Sequence, residues 1–198
     1  MRFLAPVGAI HIACYLTLNH VQLVPSRPLP LTALDDALPF WTWTTWPYLL
    51  LIGPVTWAIS SVRDGDVFRR TLRAYAVAFA LAMPFYVVMP THYPRPPAPH
   101  GGGVSSALYR LLVQVDTPEC CFPSGHVILP VLAVWALCRE GRRFGPALAV
   151  LVALMVPSIL TTKQHYAWDV AGGLVLTVIG IWASRFPIER ALSRPTTA

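Results

Sequence analysis

The sequence predicts an all-α integral membrane protein: a six-transmembrane-helix bundle with its N- and C-termini in the cytoplasm. Three observations predict it. Of the 198 residues, 55% are hydrophobic and 12% charged, against roughly 25% charged in an ordinary soluble domain. The apolar residues gather into long runs rather than a two-residue alternation. The basic residues crowd to one side of those runs. A single membrane domain covering residues 1–198 accounts for the chain.

The first run, Phe3 to Val24, follows one charge at Arg2 and reads as a retained span, because no small-residue cleavage site follows it as a signal peptide would require. Trp41, Trp43, Trp46 and Tyr48 then form an interfacial aromatic belt at the start of the second run, Tyr48 to Val62. Leu72 to Met89 is the third. The outer loop from Thr91 to Phe122 is Pro-rich at first, with Gly101, Gly102 and Gly103 as a hinge. After the hinge Leu108, Leu111, Leu112 and Val115 recur at helical spacing. That spacing predicts a short amphipathic helix in the interface, either roofing a lipid-entry site or acting as a packed connector. The remaining runs are Val127 to Cys138, Phe144 to Thr161 and Trp168 to Phe186. Several are shorter than the ~20 residues an untilted span needs.

Orientation follows from the retention of Lys and Arg on the cytoplasmic side. With the N-terminus inside, eleven of the fifteen basic residues are cytoplasmic: Arg2, Arg63, Arg69, Arg70, Arg73, Arg139, Arg142, Arg143, Arg185, Arg190 and Arg194. Arg27, Arg95, Arg110 and Lys163 are outside. The net charge of +6 therefore reads as topology and contact with anionic lipid. A nucleic-acid partner is not expected, since that would need the basic residues clustered on one exposed face. Short loops and Arg-rich usage fit a bacterial inner membrane, with the outer segments facing the periplasm or exterior. Cys14 and Cys138 lie in apolar runs and read as small hydrophobes. The adjacent Cys120 and Cys121 could form an intermolecular disulfide in an oxidising compartment. The oligomeric state is open.

Chemistry concentrates in two outer segments, CFPSGHV at Cys121 to Val127 and TTKQHYAWDVAGG at Thr161 to Gly173. In the first, Pro123 and Ser124 open a helix, so the amides around Ser124, Gly125 and His126 are the unpaired donors of a helix N-terminus and form an anion site. Gly125 has no side chain to block a phosphate. In the second, His165 and Asp169 are four apart and share a helix face. A ring nitrogen donating to Asp169 would fix the tautomer and leave the other free to attack phosphorus. Lys163, the only lysine in the chain, lies beside them and reads as phosphate-facing. From Ser124 to Cys138 a helix rises about 22 Å, less than the ~30 Å hydrocarbon thickness, so the site is expected to be recessed.

These segments resemble the second and third motifs of the type 2 phosphatidic acid phosphatase superfamily. PSGH matches residue for residue, and the third motif matches at Ser158, His165 and Asp169. Its usual Arg after the Ser is Ile159 here. KQHYxxDV is instead similar to the inositol phosphorylceramide synthase and sphingomyelin synthase branch, as are Asp35 and Asp36 near Pro39 and Phe40, which otherwise read as plain loop acids. The first motif is half present as Arg95 and Pro96, with Val88 at the position of its Lys. The resemblance implies that His165 attacks phosphorus, that Asp169 stabilises its charge, and that His126 protonates the leaving oxygen and later activates water or an alcohol. It implies that Arg95, Lys163, Ser124 and the amides at Gly125 bind the phosphate oxygens, with no metal or other cofactor. The substrate would be a lipid phosphate or phospholipid, handled by a phosphatase or a phosphotransferase. Two further readings stay open: a metal-dependent hydrolase using the two His and one Asp as ligands, and a non-enzymatic membrane protein.

Overall fold

The computed structural model describes residues 4–50, 52–99 and 103–186. Arg2, Gly101, Gly102, Arg190 and Arg194, used above for topology and for the hinge, lie outside the described residues. Gly103 has φ 114°, a conformation that only glycine adopts freely.

The apolar runs become helices α1 (Leu4–His20), α3 (Thr45–Leu50), α4 (Ile52–Ser60), α5 (Gly65–Val88), α7 (Gly125–Arg139), α8 (Gly145–Thr161) and α9 (Ala167–Ala183). Between them lie the short helix α2 (Ala33–Ala37), a 3₁₀ turn at Thr42–Thr44, and α6 (Val104–Val115). Hydropathy placed the third span from Leu72, yet α5 begins at Gly65. The reason is a cap: the Asp64 carboxylate accepts from the amides of Asp66 at 2.8 Å and Val67 at 3.0 Å, which holds a charged first turn in helix. A second departure from the all-helical expectation is a two-residue parallel ladder, β1 (Arg27–Pro28) on β2 (Thr91–His92), pairing Arg27 with Thr91 and Pro28 with His92. It ties the segment between α1 and α2 to the one between α5 and α6.

The predicted amphipathic helix exists as α6, but its buried face differs from the leucine seam. Tyr109 and Leu112 point inward, while Leu111 and Val115 are exposed. The inward face packs on the 3₁₀ turn and α3. Phe40 meets the Tyr109 ring edge-on at 5.0 Å, and the Trp46 indole donates to Ser105 Oγ at 3.1 Å.

The bundle is organised around α5, α7 and α9. Ala74, Ala78 and Ala82 make a buried stripe along α5, and α9 lies against it. At Gly180 a Cβ would stand 2.3 Å from the Ala74 carbonyl oxygen, so that crossing brings backbone to backbone, the close approach by which helices associate in lipid. α7 contributes Val127, Ile128, Leu132, Ala133, Ala136 and Leu137 to the interior. The outward faces stay apolar: Trp57, Val150, Leu151, Leu154, Val175, Val178 and Trp182 are all exposed. A soluble monomer rarely leaves so much apolar surface bare. Among the described residues α5 is long and apolar enough to cross a membrane by itself, and α6, α7, α8 and α9 are shorter apolar helices.

Candidate active site

The two motif segments meet at one end of the bundle because each is fastened to the other's backbone. The Ser124 amide donates to the Asp169 carbonyl at 3.0 Å. Gly173 permits the crossing, since a Cβ there would sit 2.7 Å from Ser124 O and 3.0 Å from Val127 Cβ. Across the Phe122–Pro123 junction, Phe122 N donates to Thr91 Oγ1 at 2.9 Å and the Tyr86 hydroxyl to Pro123 O. The amide of Ser124 is therefore already used, which corrects the expectation that it faces an anion. Gly125 and His126, in the first turn of α7, are the amides of that set without an intrahelical acceptor. A Cβ on Gly125 would touch nothing closer than the Tyr86 hydroxyl at 3.9 Å, so packing leaves room there.

His165, Asp169 and His126 come together as expected. His165 Nδ1 lies 3.1 Å from Asp169 Oδ2, and its Nε2 lies 3.2 Å from His126 Nδ1. Asp169 Oδ2 also accepts the Tyr166 amide at 2.8 Å, so one carboxylate oxygen both caps α9 and orients the imidazole. Its Oδ1 is buried with no hydrogen-bond partner.

The chain of contacts continues past the residues legible in the sequence. His126 Nε2 lies 2.8 Å from the Tyr48 hydroxyl, which donates to Asp116 Oδ2 at 3.4 Å. Tyr15 donates to Asp116 Oδ1 at 2.7 Å. Tyr48 is thus corrected from belt aromatic to site residue, 4% exposed, while Trp41, Trp43 and Trp46 remain exposed as expected. α6 delivers Asp116, whose amide caps it by donating to Leu112 O at 2.9 Å. Arg95 holds Asp116 from the other side, donating to the carbonyls of Asp116 and Thr117 and lying 3.9 Å from Oδ2. Its Nε and the Ser124 hydroxyl are buried without partners, which leaves two donors such as an oxyanion would satisfy.

His165 Nε2 faces His126 Nδ1 at 3.2 Å, so one of the two nitrogens carries the hydrogen between them.

Lys163 sits differently from the expectation of a purely phosphate-facing lysine. It closes α8: Lys163 N bonds Leu160 O and Gln164 N bonds Ile159 O, both at 3.1 Å, the Schellman pattern, with Lys163 at φ 54° where glycine is usual. Its ammonium donates to Asp35 O at 2.8 Å and Leu38 O at 2.7 Å, two of its three hydrogens. Asp35 in turn caps both α2, through Thr32, and α9, accepting from Ala167 N at 2.8 Å. Ile159, in the place of the motif Arg, is fully buried in the apolar core. Cys120 and Cys121 are buried free thiols, so the intermolecular disulfide considered above would require this loop to open.

Among the described residues, Cys121, His165 and Asp169 form the group that could hold a metal ion, their donor atoms lying within 4.8 Å of one another. The donor chemistry fits poorly. Burial, with the Asp169 charge adding to it, pushes the Cys121 thiol well up, and its Sγ donates to Pro118 O at 3.0 Å. A metal would take the thiolate.

Residues 29–183 match the family model of the PAP2 superfamily, and the chain belongs to that superfamily. No curated protein and no solved structure matches it. Membership supports a membrane enzyme of phosphatase type acting on a lipid phosphate. Tyr15 and α1 lie outside the matched stretch, although Tyr15 enters the network around Asp116.

Proposed function

We propose that the protein is a six-span membrane enzyme that takes a phosphoryl group from a lipid-linked phosphate onto His165 and passes it to water or to an alcohol. Both termini lie in the cytoplasm, and the site opens at the outer membrane face, in a bacterial inner membrane towards the periplasm. The observation that carries this reading is the contact series Asp169–His165–His126, with His165 Nε2 turned to His126 at 3.2 Å.

In the first half-reaction His165 Nε2 forms a bond to phosphorus as the bond to the leaving oxygen breaks. Asp169 holds the positive charge that develops on the imidazole, and the proton between the histidines leaves with the substrate alcohol through His126 Nδ1. In the second, His126 removes a proton from water or an acceptor alcohol, whose oxygen displaces His165 from phosphorus. Arg95 Nε, the Ser124 hydroxyl, the amides at Gly125 and His126 and the third Lys163 hydrogen bind the phosphate oxygens. The histidines must part for this to happen. A nucleophile–phosphorus contact of roughly 3 Å plus a leaving oxygen hydrogen-bonded to the acid needs about 6–7 Å between the two nitrogens. His126, on the first turn of α7, is the ring that moves.

The acceptor separates the phosphatase from the synthase-like transferase. Purified full-length protein in detergent is incubated with a labelled lipid phosphate, with and without candidate alcohols. Free phosphate as sole product excludes the transferase; a new labelled lipid establishes it. Activity lost to a chelator and restored by a divalent metal would overturn the histidine mechanism in favour of metal-dependent hydrolysis.

A further inference from the structure

At the end of the bundle opposite the histidines, about 22 Å away along the fifteen-residue rise from Asp169 to Ser184, the C-cap of α9, a cavity of about 810 Å³ opens between α5, α7 and α9. Its lining includes Arg69, Arg70, Arg73, Arg139 and Arg185, with Trp135 as an apolar wall. Among the described residues it sets one carboxylate against these five cations, Asp66, which lies 3.7 Å from Arg69 in an exposed pair. Arg70 lies over the Trp135 ring, its carbon 5.6 Å from the centroid, and its Nε is buried with no hydrogen-bond partner.

A purely topological role for these arginines asks only for basic residues near span ends, pointing to water around the rim. Here they converge from α5, α7 and the turn after α9 on one concavity. Arg69 and Arg73 are four apart on α5 and Arg70 and Arg73 three apart, so like charges face each other at spacings that destabilise a helix. A buried unpaired Nε adds a desolvation penalty. An anion with several oxygens removes both, and guanidinium groups match phosphate in planar, two-pronged geometry.

We propose that this cavity is a binding site for a phosphate-bearing anion, the headgroup of an anionic lipid or a soluble phosphate, separate from the histidine site. The ring of Trp135 and the stem of Ile181 give it an apolar edge next to the lipid-facing surface, along which a headgroup with its tails in the bilayer can enter.

Melting of the full-length protein tests this in two arms: pyrophosphate added in detergent, and nanodiscs of phosphatidylcholine with or without phosphatidylglycerol. The expected result is a higher melting temperature in at least one arm for the wild type and for His165→Ala. The double variant Arg73→Gln/Arg139→Gln is expected to need about tenfold or more ligand for the same shift, as for loss of charged hydrogen bonds. A shift with phosphatidylglycerol alone identifies a lipid headgroup, and one with pyrophosphate shows that the free anion suffices. Should the double variant not fold, Arg139→Gln alone, on the exposed last turn of α7, carries the test with about threefold weaker binding expected. No shift in either arm, an undiminished shift in the arginine variant, or a shift lost in His165→Ala would overturn the proposal.

Discussion

At the scale of single residues, the site is a line of hydrogen bonds from Asp169 to Tyr15, and each member answers differently to substitution. Asp169→Asn keeps the shape of α9 but removes the charge that fixes the His165 tautomer, so kcat is expected to fall by roughly 10³–10⁴, the loss seen when a buried orienting carboxylate becomes an amide. Tyr48→Phe keeps the packed ring and removes the hydroxyl on His126 Nε2. Steady-state kinetics should show kcat reduced about tenfold with KM little changed; an unaltered kcat would remove Tyr48 from the site. Cys120, pushed up to about 12 by burial and the nearby Glu119 charge, and Cys121, pushed well up by burial and the Asp169 charge, are neutral thiols at pH 8. Raising a thiol's pKa lowers its reactive thiolate fraction at any pH below it. Iodoacetamide at pH 8 should therefore leave both unmodified in the folded protein and modify them after denaturation, read by peptide mass mapping.

At the scale of elements, the links between segments carry as much as the helices. Lys163 occupies a left-handed backbone position at a cost of about 1 kcal/mol, which its ammonium offsets by fastening residues 35–38. Lys163→Gly relieves the strain and removes the tie. If the lysine acts chiefly on the phosphate, this variant melts near wild type and raises KM; if the tie dominates, melting falls as well. Gly173→Ala drives a methyl into Ser124 O at 2.7 Å and separates the two motif segments. It is expected to lose about 1–3 kcal/mol of stability and most activity, whereas Gly53→Ala, with open space around it, should do neither. These links show why only part of the site was legible. His126, His165 and Asp169 could be read because the last two share a helix face and the first opens a helix after Pro-Ser-Gly. Asp116 and Tyr48 are 68 residues apart, and nothing local in either segment announces the contact. Tyr48 looked like a belt residue because it follows three tryptophans. Lys163 looked phosphate-facing because a C-terminal Schellman turn with lysine in the glycine position has no spacing signature.

At the scale of the whole molecule, the apolar runs fall on helices, the second of them on the pair α3 and α4, since hydropathy reports burial in lipid or in protein alike. Caps moved the ends: Asp64 added two turns to α5 that hydropathy could not see. The arginine asymmetry separates two ends with different chemistry, histidines and acids at one and a guanidinium cavity at the other. The six-span reading requires those ends to lie on opposite sides of the membrane. Single cysteines introduced at Arg142 and at Arg27 in a cysteine-free chain should be reached by a membrane-impermeant maleimide from opposite faces. Labelling of both from one side would contradict the topology.

The most direct measure of the central claim is a quenched turnover of the full-length protein in detergent with a lipid labelled in its phosphate. A phosphohistidine intermediate requires an acid-labile, base-stable phosphoryl adduct on the peptide carrying His165, present in the wild type and absent from His165→Ala. Turnover without any such adduct, or an adduct that persists in His165→Ala, would contradict it.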